Sequence, residues 1–597
     1  MSGTDARAFA HQLAERGDAS LAALLAARQV NPQVDWHDAF DAAEHLLDTA
    51  SLTRALTALS AVEAAALEAA IARGDAPAGP ARDTLIARAL LNDEGAPWSA
   101  VADAFAAAVE AAAPATNSAT DDELRIASGD AMRSSRDSAE FVRTDGDAGG
   151  DAAEAERAFT ASASLADILQ AALAAPLGRI GAGTLGAVDR RRLIEAGAAT
   201  DAEAAEELVA IAARTGLLAA EGRAWLVTAA GAEWLHGTTL DRWTRVAAAL
   251  IEALPDAVRR PGGGWIPLAD WPGAHPFDPA WPPRAAAIAA QLRRWAVIDP
   301  AGSTATWTRP AGAGGAIDRD ALAAHLPPEV DRVYLQNDLT AIAPGTLAPQ
   351  LDVRLRSMAR RESRAQASSY RFTADTLADA LTAGETADSL RAFLMELSLT
   401  GLPQPLAYEI DRTASRHGAL RVGPDGQGRA RITSDDESLL RTVSVDQALR
   451  PLGLLPDGGA LATRSSPDTA FWMLADARYP VVAVDADGRR RTVERHRLAS
   501  TPPPAPDAIE VYAPVIARLR STQGDDADAA WLSRELDQAV RSRATIIVTV
   551  RLPDGADREF TIEATGLGGG RLRGRDRLVD VERTLPVASI VRIATPE

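Results

Sequence analysis

The chain has 597 residues, 47% of them hydrophobic and 24% charged, a length beyond one hydrophobic core that predicts roughly three to five domains of about 100 to 200 residues. It contains no cysteine, which excludes disulfides, thiolate zinc sites, iron–sulfur clusters and cysteine nucleophiles. It contains no lysine either, so all 62 basic residues are arginines, and both a Walker A loop and a Schiff-base enzyme are excluded because each needs a lysine amine.

Charge is unevenly spread. Residues 1–330 hold 27 Arg against 45 Asp plus Glu, a balance of −18, whereas residues 331–597 hold 35 against 37, a balance of −2. An acidic half repels duplex phosphate, so nucleic-acid contact is expected in the C-terminal half, with the acidic half left as a solvated surface or a protein-binding one. The start, MSGTDARAFAHQLAERGD, lacks a basic segment followed by an apolar core, and no stretch of about 20 apolar residues follows, so a cytoplasmic location is expected.

In chain order, residues 1–111 read as a helical N-terminal domain: SLAALLAARQV, HDAFDAAEHLLDT and SLTRALTALSAVEAAALEAAIARG have apolar positions three and four apart, with Ser51 the expected N-cap of the third. Residues 112–158, rich in Ala, Ser, Asp and Gly, are expected to be a disordered linker. Residues 159–240 carry three helical patterns and then GLLAAEGRAWLVT, two apolar runs around a turn, the order of a winged helix. Its third helix presents Asp201, Glu203, Glu206 and Glu207 against Arg214 alone, which favours protein contact or scaffolding over DNA. A poorer copy of the pattern, PPRAAAIAAQLRRWAVIDPAGSTATWT, marks residues 241–330 as a second winged-helix-like segment. Trp265, Trp271 and Trp281 lie before or at its start among prolines; with no basic residue over 261–283, packing is expected rather than stacking on bases or on a Pro-rich peptide.

Residues 331–423 read as a small α+β domain. VYLQ and LTAIA are short strands around an Asn337-Asp338 turn, ending at Pro344-Gly345. A helix is expected over 346–366, with Leu347, Leu351, Leu355 and Met358 inward and Arg356, Arg360 and Arg364 aligned on another face. SSYRF is a strand, three helices follow, the second with Leu390, Phe393, Leu394 and Leu397 inward, and LRVG returns to the sheet. The stretches VYLQNDLTAIAPG, SSYRFTADTLADALTAGETADSLRAFL and LPQPLAYEIDRTASRHGALRVG, in this order, resemble the N-terminal, damage-recognition-like region of bacterial XPB-type helicases. The whole chain, including LAALLAAR and GLLAAEGRAWLVT, resembles actinobacterial helicase-associated proteins that carry this domain without a motor. The resemblance implies a non-catalytic helicase-associated protein. Its DNA partner would be single-stranded or distorted, and a separate helicase or ATPase is a possible protein partner of the acidic half. Arg354, Arg356, Arg360, Arg361, Arg364 and Arg371 offer guanidinium groups for phosphate, with Tyr370 a ring to stack on an unpaired base. The alternative is an arginine-coated surface helix paired with Glu362 and other acids, since residues 331–423 balance 11 Arg against 11 acids.

Residues 424–500 read as an α/β extension, with ARITSDDESLLRTV and DTAFWMLADARYP as helices and VVAVD as a strand, and residues 501–508, with PPPAP, as a stiff linker. Residues 509–597 hold one helix and then alternating strands with an Asp554-Gly555 hairpin signal, predicting a small β-barrel. GGGRLRGRD and VERTLPVASIVRI resemble a WYL domain, a ligand- or nucleic-acid-sensing module of transcription regulators, although Gly570, Arg571 and Leu572 stand where the signature Trp-Tyr-Leu would fall. Arg571, Arg573, Arg575 and Arg577 alternate on one face as an anion-binding candidate, so a scaffold or regulator sensing a ligand through this barrel is the alternative function. The fold class expected is thus multidomain α+β, with a mainly helical N-terminal half. The eight histidines, at 11, 37, 45, 236, 275, 325, 417 and 496, form no HExxH and no pair three or four apart, and there is no GxSxG elbow; no metal, cofactor or enzymatic activity is expected.

Overall fold

The computed structural model describes residues 3–112, 148–181, 183–364, 367–426, 429–493, 498–500, 506–522, 527–552 and 555–594. The chain is mixed α/β, and the buried apolar side chains of these residues gather in five clusters. None of its helices is long and apolar enough to cross a membrane among the described residues.

The first cluster is made by helices Gly3–Glu15, Asp18–Ala27, Ala39–Leu46, Thr49–Thr57, Ala61–Arg73, Pro80–Ala87 and Ser99–Ala112. The single long helix expected from Ser51 is two. Asp48 caps Thr49–Thr57, and a reciprocal Ser60–Glu63 capping box restarts the chain at Ala61, because that box satisfies two otherwise unpaired N–H groups at once. Ser51 is buried instead and accepts from the 2%-exposed Arg28 at 2.9 Å. Helix Ala508–Ser521 belongs to this cluster through Tyr512, Val515, Ile516 and Leu519, and the Tyr512 hydroxyl donates to the Val30 carbonyl at 2.7 Å. The expected 509–597 unit is therefore divided: its first helix closes the N-terminal core.

Of the expected linker, residues 113–147 lie outside the described residues, and its end is helical. Helix Ala148–Ala174 is the first element of the second cluster. Strands Leu177–Ile180 and Thr184–Leu185, helices Ala187–Glu195 and Ala202–Arg214, and the hairpin Leu218–Glu221/Ala224–Val227 follow, and strand 177–180 pairs with both 184–185 and 224–227. Helices Thr239–Glu252 and Trp281–Arg294 join the same core, where Trp243 and Trp295 each donate an indole N–H to the other's carbonyl, at 2.7 and 2.9 Å. Trp265, Trp271 and Trp281 are buried there as packing residues. Helix Trp281–Arg294 also meets the acidic helix, where Arg294 pairs with Glu207 at 2.6 Å and Arg214 donates to Gln291 at 2.9 Å, while Asp201 and Glu203 stay exposed.

Two sheets follow. Strands Tyr334–Leu335, Thr340–Ala343, Ser368–Arg371 and Arg360–Arg364 form a four-stranded sheet in that order, packed by helices Ala374–Thr382, Ala387–Leu397 and Gln404–Arg416; Leu390, Phe393, Leu394 and Leu397 point inward. Leu420–Pro424 does not return to this sheet. It pairs with Ala430–Thr433 and Val481–Val484 in a six-stranded sheet that also holds Leu455–Asp457, Ala460–Thr463 and Arg490–Arg491. ARIT is thus a strand where a helix was expected, with helix Glu437–Val445 starting after it at the Asp436 cap.

Helix Ala527–Ser542 packs on the last sheet, ordered Val581–Pro586, Arg571–Asp576, Asp557–Gly568, Thr545–Arg551, Ile590–Ala594. The expected barrel is not closed among the described residues. The 3₁₀ turn Val587–Ser589 carries the chain from one edge strand to the other, but those edges share no ladder. Asp554 and the prolines of 502–505 lie outside the described residues.

Candidate nucleic-acid interface

Helix Pro349–Met358 begins with proline at its first turn, where no N–H is lost, and buries Leu355 and Met358. It stops eight residues short of the expected end. Ala359 turns extended (φ −144°, ψ 145°), and Arg360–Arg364 becomes an edge strand against Ser368–Arg371. Backbone pairing replaces the helical hydrogen bonds, so Arg356, Arg360 and Arg364 do not share a helix face. Arg361 lies opposite Tyr370 and Arg360 opposite Arg371. The side chain of Arg364 lies outside the described residues.

Two of the arginines are committed inside the protein. Arg356 Nη1 lies 2.6 Å from Asp167 Oδ1, and Arg361 binds the other oxygen of the same carboxylate. Asp167, on helix Ala148–Ala174, has a side chain only 4% exposed. Arg356 is also 3.6 Å from Asp352, which accepts from the Tyr370 hydroxyl at 2.6 Å. Burial, reinforced by the Asp352 carboxylate, pushes the Tyr370 phenol well above its ordinary range. Tyr370 is 1% exposed and belongs to the core, which corrects its expected role as a stacking ring. Burial pulls the Arg361 guanidinium down, but Asp167 and then Asp352 reverse this and leave it raised. Arg242, buried beside the group, is pushed down to about 10 by burial, opposed by Asp352, Glu329 and Asp167. The cluster is a tie between the second and third cores. Nothing local in the sequence announces it, since Asp167 stands 189 residues before Arg356.

Arg354, Arg360 and Arg371 face outward. Arg354 pairs with Glu385 at 3.1 Å and lies 4.3 Å over the Phe393 ring. Arg371 pairs with Glu362 at 2.6 Å, and Arg360, 75% exposed, is 3.9 Å from the same carboxylate. On the last sheet, Arg571, Arg573 and Arg575 alternate outward, while Leu572 and Asp576 point inward; Arg577, expected as the fourth of the row, lies in the turn after the strand ends at Asp576. Arg575 is 2.6 Å from Asp580 and Arg577 2.7 Å from Glu563; Arg571 and Arg573 make no ion pair among the described residues. Asp580 raises the Arg575 guanidinium above its ordinary range through its hydrogen bond and charge.

No curated protein matches the chain. Residues 333–455, about a fifth of its length, match the family model of the helicase conserved C-terminal domain. In the fold that stretch takes in the four-stranded sheet with its helices and continues into the six-stranded sheet, so the region similar to a helicase domain carries both the tied arginines and the first strands beyond them.

Proposed function

We propose that the chain is a non-catalytic, helicase-associated protein that holds DNA through its helicase C-terminal-like region. The observation that carries the reading is the match over 333–455 in a chain whose 597 residues contain no lysine and hence no Walker A loop. Its resemblance to the XPB-type N-terminal region supports attachment to unpaired or distorted DNA, with motor activity supplied by a separate helicase. Residues 159–240 are read as a winged helix used for protein contact or scaffolding, because its acidic third helix repels phosphate and is tied to helix Trp281–Arg294 through Glu207 and Arg214. The full-length protein is titrated with single-stranded, forked and duplex DNA at several salt concentrations, and assayed for ATP turnover. Salt-sensitive binding without ATP turnover is expected. Binding that is absent at low salt, or ATP turnover abolished by a point change in this chain, overturns the reading.

A second reading is supported by Arg571 and Arg573, two outward guanidinium groups without a carboxylate partner among the described residues. They suit an anionic ligand sensed by the WYL-like sheet. A rise in the thermal midpoint of the full chain with an oligonucleotide, lost in Arg571→Gln/Arg573→Gln alone, would favour it.

A further inference from the structure

The six-stranded sheet has one face covered by helices and a second face that carries exposed arginines. Leu420, Val422, Ala430, Ile432, Leu461, Val481 and Ala483 point to helices Glu437–Val445 and Pro467–Asp476 and form the fourth core with Leu440, Val443, Phe471 and Leu474. Alternation sends the residues between them to the other side. The registers align them: Arg421 opposite Thr433 and Val482, Gly423 opposite Arg431, Val484 opposite Arg490, and Arg431 opposite Ala462. Arg464 follows Ala462 by two residues just past the end of its strand.

The result is a strip of small residues, Ala462 and Val484 partly exposed and Gly423 and Val482 buried between them, flanked by the exposed Arg421, Arg431, Arg464 and Arg490. Gly423 keeps its middle flat, since a Cβ there would fall 2.8 Å from Val484 Cγ2. Arg431 and Arg490 stand three strand spacings apart, about 14 Å. The carboxylates that meet these arginines are themselves exposed. Arg421 pairs with Asp435, 86% exposed, at 2.7 Å, and Arg431 lies 4.0 Å from Asp457, 52% exposed. Arg464 and Arg490 make no ion pair among the described residues. Pairs of this kind hold weakly and yield to a competing phosphate, unlike the buried pairs at Asp167.

We propose that this arginine-bearing face is the surface on which the protein carries single-stranded DNA, the arginines meeting the phosphates and the partly exposed Ala462 and Val484 accepting the faces of unpaired bases. This deepens the DNA-binding reading and rests on it. A duplex hides its base faces, so the strip selects the single strand. Phosphate contacts carry no sequence information, so binding is tolerant of sequence. Four phosphate contacts to a single strand contribute about −3 to the slope of log K against log salt.

The test uses the full chain and single-stranded and duplex oligonucleotides over about 50 to 200 mM salt. Arg421→Gln/Arg431→Gln/Arg464→Gln/Arg490→Gln is expected to weaken single-strand binding at least tenfold and to flatten the salt slope by about 2 to 3. The matching quadruple change to Lys restores most of both. Arg245→Gln/Arg319→Gln, at two half-exposed arginines of the acidic half, leaves both nearly unchanged. An unchanged thermal midpoint shows the variants folded; if the quadruple change unfolds the chain, each half, 421/431 or 464/490, is expected to remove about half the slope. Binding by the unaltered chain that the sheet variant leaves intact overturns this site and spares the DNA reading. Failure of the unaltered chain to bind any DNA overturns both. Equal losses for duplex and single strand overturn the choice of the single strand, and loss of self-association instead of DNA binding assigns the face to a second copy.

Discussion

Two arginine groups lie within 140 residues of each other and have opposite fates. Around 354–371, Arg356 and Arg361 close on Asp167, a carboxylate 4% exposed on a helix of another core. On the six-stranded sheet, Arg421 and Arg431 meet carboxylates that are at least half exposed, and Arg464 and Arg490 meet none among the described residues. Residue type and local density are similar in the two stretches. What differs is whether the counter-charge has been desolvated along with the guanidinium, since a buried charge cannot be released without stranding its partner, while a surface pair exchanges with solvent ions at little cost.

The largest effect is expected at Asp167. Asp167→Ala leaves two guanidinium groups without their carboxylate in a covered site and should cost about 3–5 kcal/mol, read by chemical denaturation. In a double-mutant cycle, Asp167→Ala combined with Arg361→Met should recover part of that loss, with a coupling of about 0.5–3 kcal/mol. Additive losses would mean that the pair is not a tie. The same Asp167 variant, if it remains folded, should bind DNA more tightly through the freed Arg356 and Arg361, which would erase the contrast between the two groups.

A pH effect of intermediate size comes from His417, which lies between the two groups and contacts Thr382 at 3.3 Å. Burial, and then the Arg490 charge, push its imidazole down to about 4 from 6.5. The folded chain thus resists protonation there more than the unfolded chain does. Its stabilising share is present in full above about pH 6.5 and is lost as pH falls towards 4. The thermal midpoint should fall across that window, and His417→Gln should flatten the fall; an equal slope in the variant would remove His417 as its source. The smallest effect is expected at the surface. Arg421→Ala should change stability by no more than about 1 kcal/mol, and Arg360→Ala by about 0.5 kcal/mol or less, in the same denaturation experiment.

Local periodicity was a good guide wherever one apolar stripe faces one core. Over 333–343 the two short strands and the Asn337-Asp338 turn are where the pattern puts them, and so are the inward residues of helix Ala387–Leu397. It failed where two local solutions compete. Over 346–366 the helical stripe Leu347, Leu351, Leu355 and Met358 is buried or partly buried, yet the chain leaves the helix at Ala359 because an edge of the sheet offers strand 360–364 a ladder. At Ser51 the stronger caps at Asp48 and Ser60 prevailed. The closing strand at 420–424 was legible as a strand but not its sheet, because extended backbone carries no record of which edge it will join.

The sequence by itself determined which chemistries this chain lacks, through its missing lysines and cysteines, and where its guanidinium groups are dense. Only the tertiary structure decided which of those groups remain available. An ion pair such as Asp167 with Arg356 and Arg361 spans 189 residues or more and forms because two cores meet there. Charge acts through space and burial, and neither is written in the order of neighbours along the chain.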